Sequence, residues 1–440
     1  VGDLVVEEGR IAAIGVGAPR PRGAEILDDL AGCWVFPGLV DPHVHLRTPG
    51  FEYKEDLATG SRAAAAGGYT TIVGMANTDP VVDSGPVAAW VLEQAATVAA
   101  VRVGQVGAVS KGLKGEELAE MHELADAGVV GFADDGRPVA DADLLLHALR
   151  YTRGMRRPLL LHLENKSLSV DGVMREGKWS ARLGLRGIPS VCESGPLARD
   201  LELIRYAVAE EARLGAARGE AGAARHAAGA NPPGPVPAVH FQHLSVAGSV
   251  RLLRAAKSEG LPVTAEATPL HLLLTDERLS SFDQNLKVNP PLGSEADRDA
   301  LVDALADGTI DCVGTDHAPH APQEKEVPIE EAAWGSTGLE TAFAGLYSGL
   351  VLTGRVSLAR LVEAMSAAPC RVLGLEASRL TAGAPADFCV FDAEEVWQVT
   401  PAALRGKSRN CAFLGETFTG RIRLTVVDGA RRFARARGEA

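Results

Sequence analysis

Apolar and polar positions along the chain fall into two textures. Between residues 37 and 375, short β-branched and aliphatic runs alternate with Ala- and Leu-rich stretches. The runs at 70–73, 129–132, 159–162, 238–241 and 310–313 predict strands. The stretches at 57–67, 116–127, 141–154, 196–212, 246–258 and 297–306 predict helices. Repeated β-then-α order predicts a parallel sheet, and this many units in one domain favours an α/β fold closed as a (β/α)8 TIM barrel. An open doubly wound sheet is the competitor, but no GxGxxG follows the early strands. The chain ends read differently. Residues 4–14 are two apolar runs around an acidic Gly turn, a β-hairpin pattern, and strand-like runs return at 386–391 and 421–428. They predict a small β-sandwich domain built from both chain ends, 1–36 and 376–440, beside a barrel at 37–375. The stretch 213–237 fits neither texture, being Ala, Gly, Arg and Pro with almost no large apolar residue. Its beginning can extend the preceding helix, but Asn231-Pro232-Pro233-Gly234-Pro235 cannot, so a mobile surface insertion is expected.

Composition narrows the function classes. With 46% hydrophobic and 23% charged residues the chain is neither disordered nor fibrous. No run approaches the roughly 18 apolar residues of a membrane helix. Lys plus Arg number 44 against 57 Asp plus Glu, a net charge of −13, so a nucleic-acid partner is not expected. An anionic small-molecule substrate must then be held by a few local cations. The six cysteines contain no CxxC pair and do not read as a disulfide framework over this length. With no signal peptide, a cytoplasmic protein is expected. The chain starts at Val1 almost inside a strand, so a few preceding residues are expected.

The strongest local signal is Asp41-Pro42-His43-Val44-His45-Leu46-Arg47. Residues i and i+2 of a strand share a face, so His43 and His45 project together into a barrel interior. Two adjacent buried imidazoles need something to use their lone pairs, and a metal ion does so. Alone, the pair could as well be two core or surface histidines. His162 and His243, however, end two other strands, Asp316 follows a third and Asp134-Asp135 follow a fourth. Catalytic groups of such a barrel gather at these C-terminal ends. His122, His147 and His226 fall in helical or loop stretches and have no expected role. Four histidines and two carboxylates exceed the needs of one ion. Two ions use the set economically: His43, His45 and Asp316 on one, His162 and His243 on the other, Asp135 between. Thiolate-free, imidazole-rich ligation suits two zinc ions, and manganese or iron would fit the same donors.

HxHxR after Pro37-Gly38-Leu39-Val40-Asp41, the Asn77-Thr78 pair, Asp134-Asp135-Gly136, a strand ending in His162-x-Glu164, and Thr315-Asp316-His317-Ala318-Pro319-His320 together resemble a dihydroorotase of the cyclic-amidohydrolase superfamily. The likeness is to the bacterial form related to the dihydroorotase part of the animal multifunctional pyrimidine protein, and covers nearly the whole chain except 213–237. Many relatives bridge their metals with a carboxylated lysine after Gly-Phe. Here Gly131-Phe132 leads into Ala133-Asp134-Asp135, which matches the branch bridged by aspartate and aligns Asp135 with the bridge. The resemblance implies reversible interconversion of N-carbamoyl-L-aspartate and L-dihydroorotate in pyrimidine (UMP) synthesis, with Asp316 as acid/base. It implies that Arg47, Asn77 and His320 bind the substrate carboxylate. Asn289 and His45 are implied as further substrate contacts, and Trp334-Gly335 as a backbone contact in place of the usual Phe-Gly. His317 has no implied role beyond a core hydrogen bond. Gly293, Leu270 and Leu163 replace a frequent Arg, His and Cys of the relatives without removing a ligand. A hydantoinase- or allantoinase-like hydrolase is the enzymatic alternative. From another class, the alternative is an inactive scaffold for aspartate transcarbamoylase, which the intact ligand set argues against. A homo-oligomer is expected, and association with aspartate transcarbamoylase as an active partner stays open.

Overall fold

A computed structural model describes residues 2–19, 21–217, 238–436 and 438. Most of the 213–237 insertion, His226 included, lies outside the described residues. Leu39–Val44, Tyr69–Gly74 and Arg102–Gln105 pair in parallel. Leu159–Leu161, Val239–Phe241, Val263–Ala267 and Cys312–Val313 form a second parallel set. Single bridges join the two sets on both sides. Phe132 pairs with Gly107 and Leu159, and His317 pairs with Val44. The ring therefore closes with eight staves, the fourth centred on Phe132. Leu39–Val44 is buried at every position, as expected of a parallel strand covered on both faces.

Helices lie between the staves, and two helices and one strand differ from the sequence pattern for physical reasons. The helix expected at 116–127 spans only Met121–Asp126, because Leu118 instead pairs with Ser110 in the loop after the third stave. The helix expected to begin at 196 starts at Val191, so Pro196 sits inside Val191–Ala217. Proline has no N–H for the carbonyl four residues back, and that carbonyl, on Cys192, accepts from Asn165 N at 2.8 Å instead. The strand expected at 129–132 contracts to the bridges at Phe132. Leu57–Ala66 starts as expected, its first turn fixed by reciprocal bonds between Asp56 and Thr59.

The chain ends meet as the pattern predicts. Trp34–Pro37, Phe388–Gln398, Thr417–Val427 and Ala430–Ala434 form an antiparallel sheet. The hairpin Asp3–Glu7 with Arg10–Gly15 packs on it through Leu4, Val6 and Ile11 against Phe388, Val390 and Leu424. Phe391 of this sheet stacks edge-on against Phe343 and Tyr347 from the barrel side, which fixes one unit against the other. All six cysteines are unbridged. Among the described residues no helix is long and apolar enough to cross a membrane.

Candidate active site

His43 lies in the first stave and His45 just past its end, with ring centroids 5.5 Å apart. Asp135 follows the fourth stave, His162 the fifth, His243 the sixth and Asp316 the eighth. His243 (φ 31°) and Asp316 (φ 48°) take left-handed backbone conformations where their strands stop. Such conformations are uncommon for non-glycine residues and cluster at functional sites.

Two groups of donors share Asp135. His43 Nε2 lies 3.6 Å from its Oδ1 and His45 Nε2 lies 3.3 Å from its Oδ2. His162 Nδ1 and His243 Nε2 lie 3.4 and 3.7 Å from Oδ1. Asp316 Oδ1 is 3.0 Å from His45 Nε2 and 3.6 Å from His43 Nε2. The residues fit a cationic centre on direct grounds: His43 Nε2 and Asp135 Oδ1 are buried, convergent and without a hydrogen-bond partner. The imidazole and carboxylate donors suit a borderline divalent ion. Three rings have their other nitrogen held from behind. His43 Nδ1 meets Glu266 Oε1 at 2.7 Å, His45 Nδ1 meets Asn77 Oδ1 at 2.9 Å, and His162 Nε2 meets Glu164 Oε2 at 3.1 Å. Such partners fix ring tautomer and orientation. Burial disfavours charge on both Asp135 and His43, yet their mutual attraction prevails. It holds the Asp135 carboxyl well below its ordinary value, and with Glu266 holds the His43 ring well above its own.

A cavity of about 760 Å³ opens over this cluster. Arg47, Asn77, Asn289, His320, Trp334 and Gly335 all line it, so the structure brings the sequence-expected substrate contacts to one place. The strand ends at Val44, and Arg47 turns inward at φ 63° with Nε donating to Pro319 O. Asn289 Nδ2 donates to Glu164 Oε2 at 3.0 Å, and His320 Nε2 lies 2.9 Å from Trp334 O. Burial, with Arg47 and Lys54 nearby, draws His320 down to about 3, so it enters the cavity as a neutral ring. Gly335 has φ 137°, and a Cβ there would lie 2.7 Å from Ala318 Cβ, so only glycine fits. Its N–H donates to Lys287 O and its C=O accepts from Lys325 and Asn410, so a ligand would share an occupied carbonyl there.

His317 makes the expected core contact, accepting from Gly338 N at Nδ1, and its carbonyl accepts from His45 N where the barrel closes. Gly293 is enforced locally, because a Cβ there would meet Ser245 O and Asp297 Cβ, both at 2.8 Å. Sequence reasoning gave no role to Glu164 or Glu266. A signal for Glu266 was present: a charged residue inside the apolar run Val263-Thr264-Ala265-Glu266-Ala267 has to point into the barrel.

The chain matches the amidohydrolase family over residues 34–431. It is 43% identical over 427 residues to a dihydroorotase of Geobacter sp. (strain M21), covering 97% of this chain and 93% of that protein. It is 45% identical over 428 residues to a dihydroorotase of Anaeromyxobacter dehalogenans (strain 2CP-C), covering 97% and 92%. Among solved structures, an L-hydantoinase (dihydropyrimidinase) from Arthrobacter aurescens matches with TM-score 0.81 at 24% identity, over 100% of this chain and 93% of that one. A D-hydantoinase (dihydropyrimidinase) from Thermus sp. matches with TM-score 0.78 at 23% identity, over 100% and 93%. With its match over most of its length, the chain belongs to the amidohydrolase family, a class of hydrolases. Within that family these sequence relatives are dihydroorotases, while the hydantoinases share the fold.

Proposed function

We propose that the cavity binds L-dihydroorotate and N-carbamoyl-L-aspartate and interconverts them, as a dihydroorotase with two zinc ions. The barrel at 37–375 serves as the catalytic unit. The observation that carries this reading is the meeting, in one cavity, of the donor set around Asp135 with Arg47, Asn77, Asn289 and His320. His43, His45 and Asp316 would hold one ion, His162 and His243 the other, and Asp135 both. Bound there, the ions supply an activated water and a polarised amide carbonyl.

The chain's own groups do the rest. Asp316 takes a proton from the attacking water and delivers it to the ring nitrogen as the C–N bond breaks. In the opposite direction it removes the ureido proton, and the side-chain carboxylate of N-carbamoyl-aspartate loses one oxygen as water. The Arg47 guanidinium pairs with the carboxylate that both substrates retain. Neutral His320, its one N–H turned to Trp334 O, lines the carboxylate subsite without adding charge. Asn77 holds His45, and Glu164 holds His162 and Asn289 together, so ligand and substrate contacts share supports. The test is a turnover comparison of L-dihydroorotate, hydantoin and allantoin on metal-loaded protein. Turnover of dihydroorotate far above the other two is expected, and a preference for hydantoin or allantoin overturns the reading.

A further inference from the structure

Behind the metal-facing side of His43 lies a second polar layer that the proposed chemistry does not use. Glu266 sits on the seventh stave with no exposed surface. Among the described residues its carboxylate meets nitrogen atoms of three histidines: His43 Nδ1 at 2.7 Å, His240 Nε2 at 3.1 Å and the His243 backbone N at 3.4 Å. His240 is itself fixed, with its Nδ1 at 2.9 Å from the Thr264 hydroxyl. A carboxylate has only acceptors, so each ring nitrogen facing it has to carry hydrogen.

We infer that Glu266, braced by His240 and Thr264, is a positioning residue that holds hydrogen on His43 Nδ1 and so keeps the Nε2 lone pair of His43 aimed at Asp135 and Asp316. This rests on the metal-centre reading above. The backing carboxylate also raises the basicity of the ring it faces. Glutamine has nearly the same shape but the wrong chemistry. Its amide accepts on one side and donates on the other, so one of the two facing imidazoles has to present a bare nitrogen. If that ring is His43, the hydrogen moves to Nε2 and blocks the donor that the ion needs. His240, Glu266 and Cys312 also lie close enough to form a ligand set of their own. Against that use, both His240 nitrogens and both Glu266 oxygens already have partners.

The test measures zinc binding to metal-free protein by chelator competition for the wild type, Glu266→Gln and Cys312→Ser. Alongside it, long-range proton–nitrogen spectra of the histidines are recorded on zinc-loaded wild type. Two equivalents are expected for wild type, with one of them weakened roughly 10–100-fold in Glu266→Gln. Cys312→Ser should match wild type, and His43 should carry hydrogen at Nδ1. Equal zinc affinity in Glu266→Gln and wild type overturns this inference alone, whereas a wild type that binds no zinc overturns the metal-centre reading with it. A third equivalent lost in both variants makes Glu266 a ligand and also overturns the inference. Should Glu266→Gln fail to fold, the wild-type spectrum decides, and a bare Nδ1 on His43 rejects the inference.

Discussion

Asp316 and Arg47 reach the cavity by the same local device, a positive φ just past a strand end, at 48° and 63°. Their expected roles separate cleanly in kinetics. Asp316→Asn keeps the shape but cannot carry a proton, so kcat should fall roughly 10²–10⁴-fold in both directions, measured on protein with verified metal content. Arg47→Met removes a charge-assisted contact of about 1.5–3 kcal/mol, or roughly 10–100-fold in KM, with kcat less affected. Unchanged KM values would remove Arg47 from the clamp. At this scale the sequence was readable wherever a residue type has few other uses. A His-x-His in a strand and a histidine or aspartate at a strand end announce themselves. Glu164 did not, and Glu266 signalled only its inward direction, because the role of a residue that holds another is recognisable only when its partner is in view.

His271, in the short helix Pro269–Leu273, ties that element to the loop before the eighth stave. Its Nε2 donates to Pro290 O at 2.8 Å, and its Nδ1 meets the Thr268 hydroxyl at 2.8 Å. Burial pushes its pKa down to about 4, against the partial opposition of the Pro290 bond. The unfolded ring takes a proton below about 6.5, the folded ring only near 4, so stability is present above 6.5 and lost as pH falls through this window. The full effect is about 3 kcal/mol. Thermal unfolding of wild type should therefore steepen downward between pH 6.5 and 4, and His271→Gln should show a shallower slope there. If both profiles run parallel, the ring does not stay neutral in the fold. The sequence pattern placed most elements but missed their limits. The late start at Met121 and the early start at Val191 both depend on backbone partners elsewhere in the fold, Ser110 and Asn165.

Across the whole molecule, Phe391 links the terminal sheet to the barrel through Phe343 and Tyr347 and is fully buried. Phe391→Ala should cost about 3–5 kcal/mol of stability, read by denaturant unfolding, with kcat little changed in the folded fraction. The proposed reaction also has a pH signature. N-carbamoyl-aspartate has two carboxylates and dihydroorotate one, so ring closure consumes a proton and its equilibrium shifts roughly tenfold toward dihydroorotate for each pH unit of fall. With Asp316 needed unprotonated for hydrolysis, hydrolytic kcat/KM should rise to a plateau and synthesis should run faster on the acidic side. An acid limb of hydrolytic kcat/KM that is unchanged in Asp316→Asn, measured on metal-loaded protein, would reject Asp316 as the shared proton carrier. By itself the sequence determined the βα alternation, the sheet-forming ends and the donors at strand ends, because strand and helix periodicity and the chemistry of histidine are local properties. Only the tertiary structure decided that the ring closes through Phe132 and His317, that Arg47 turns inward, and that Glu266 stands behind His43. Each of these depends on contacts between segments far apart in the chain, and hydrogen bonds across such distances leave no period in the sequence.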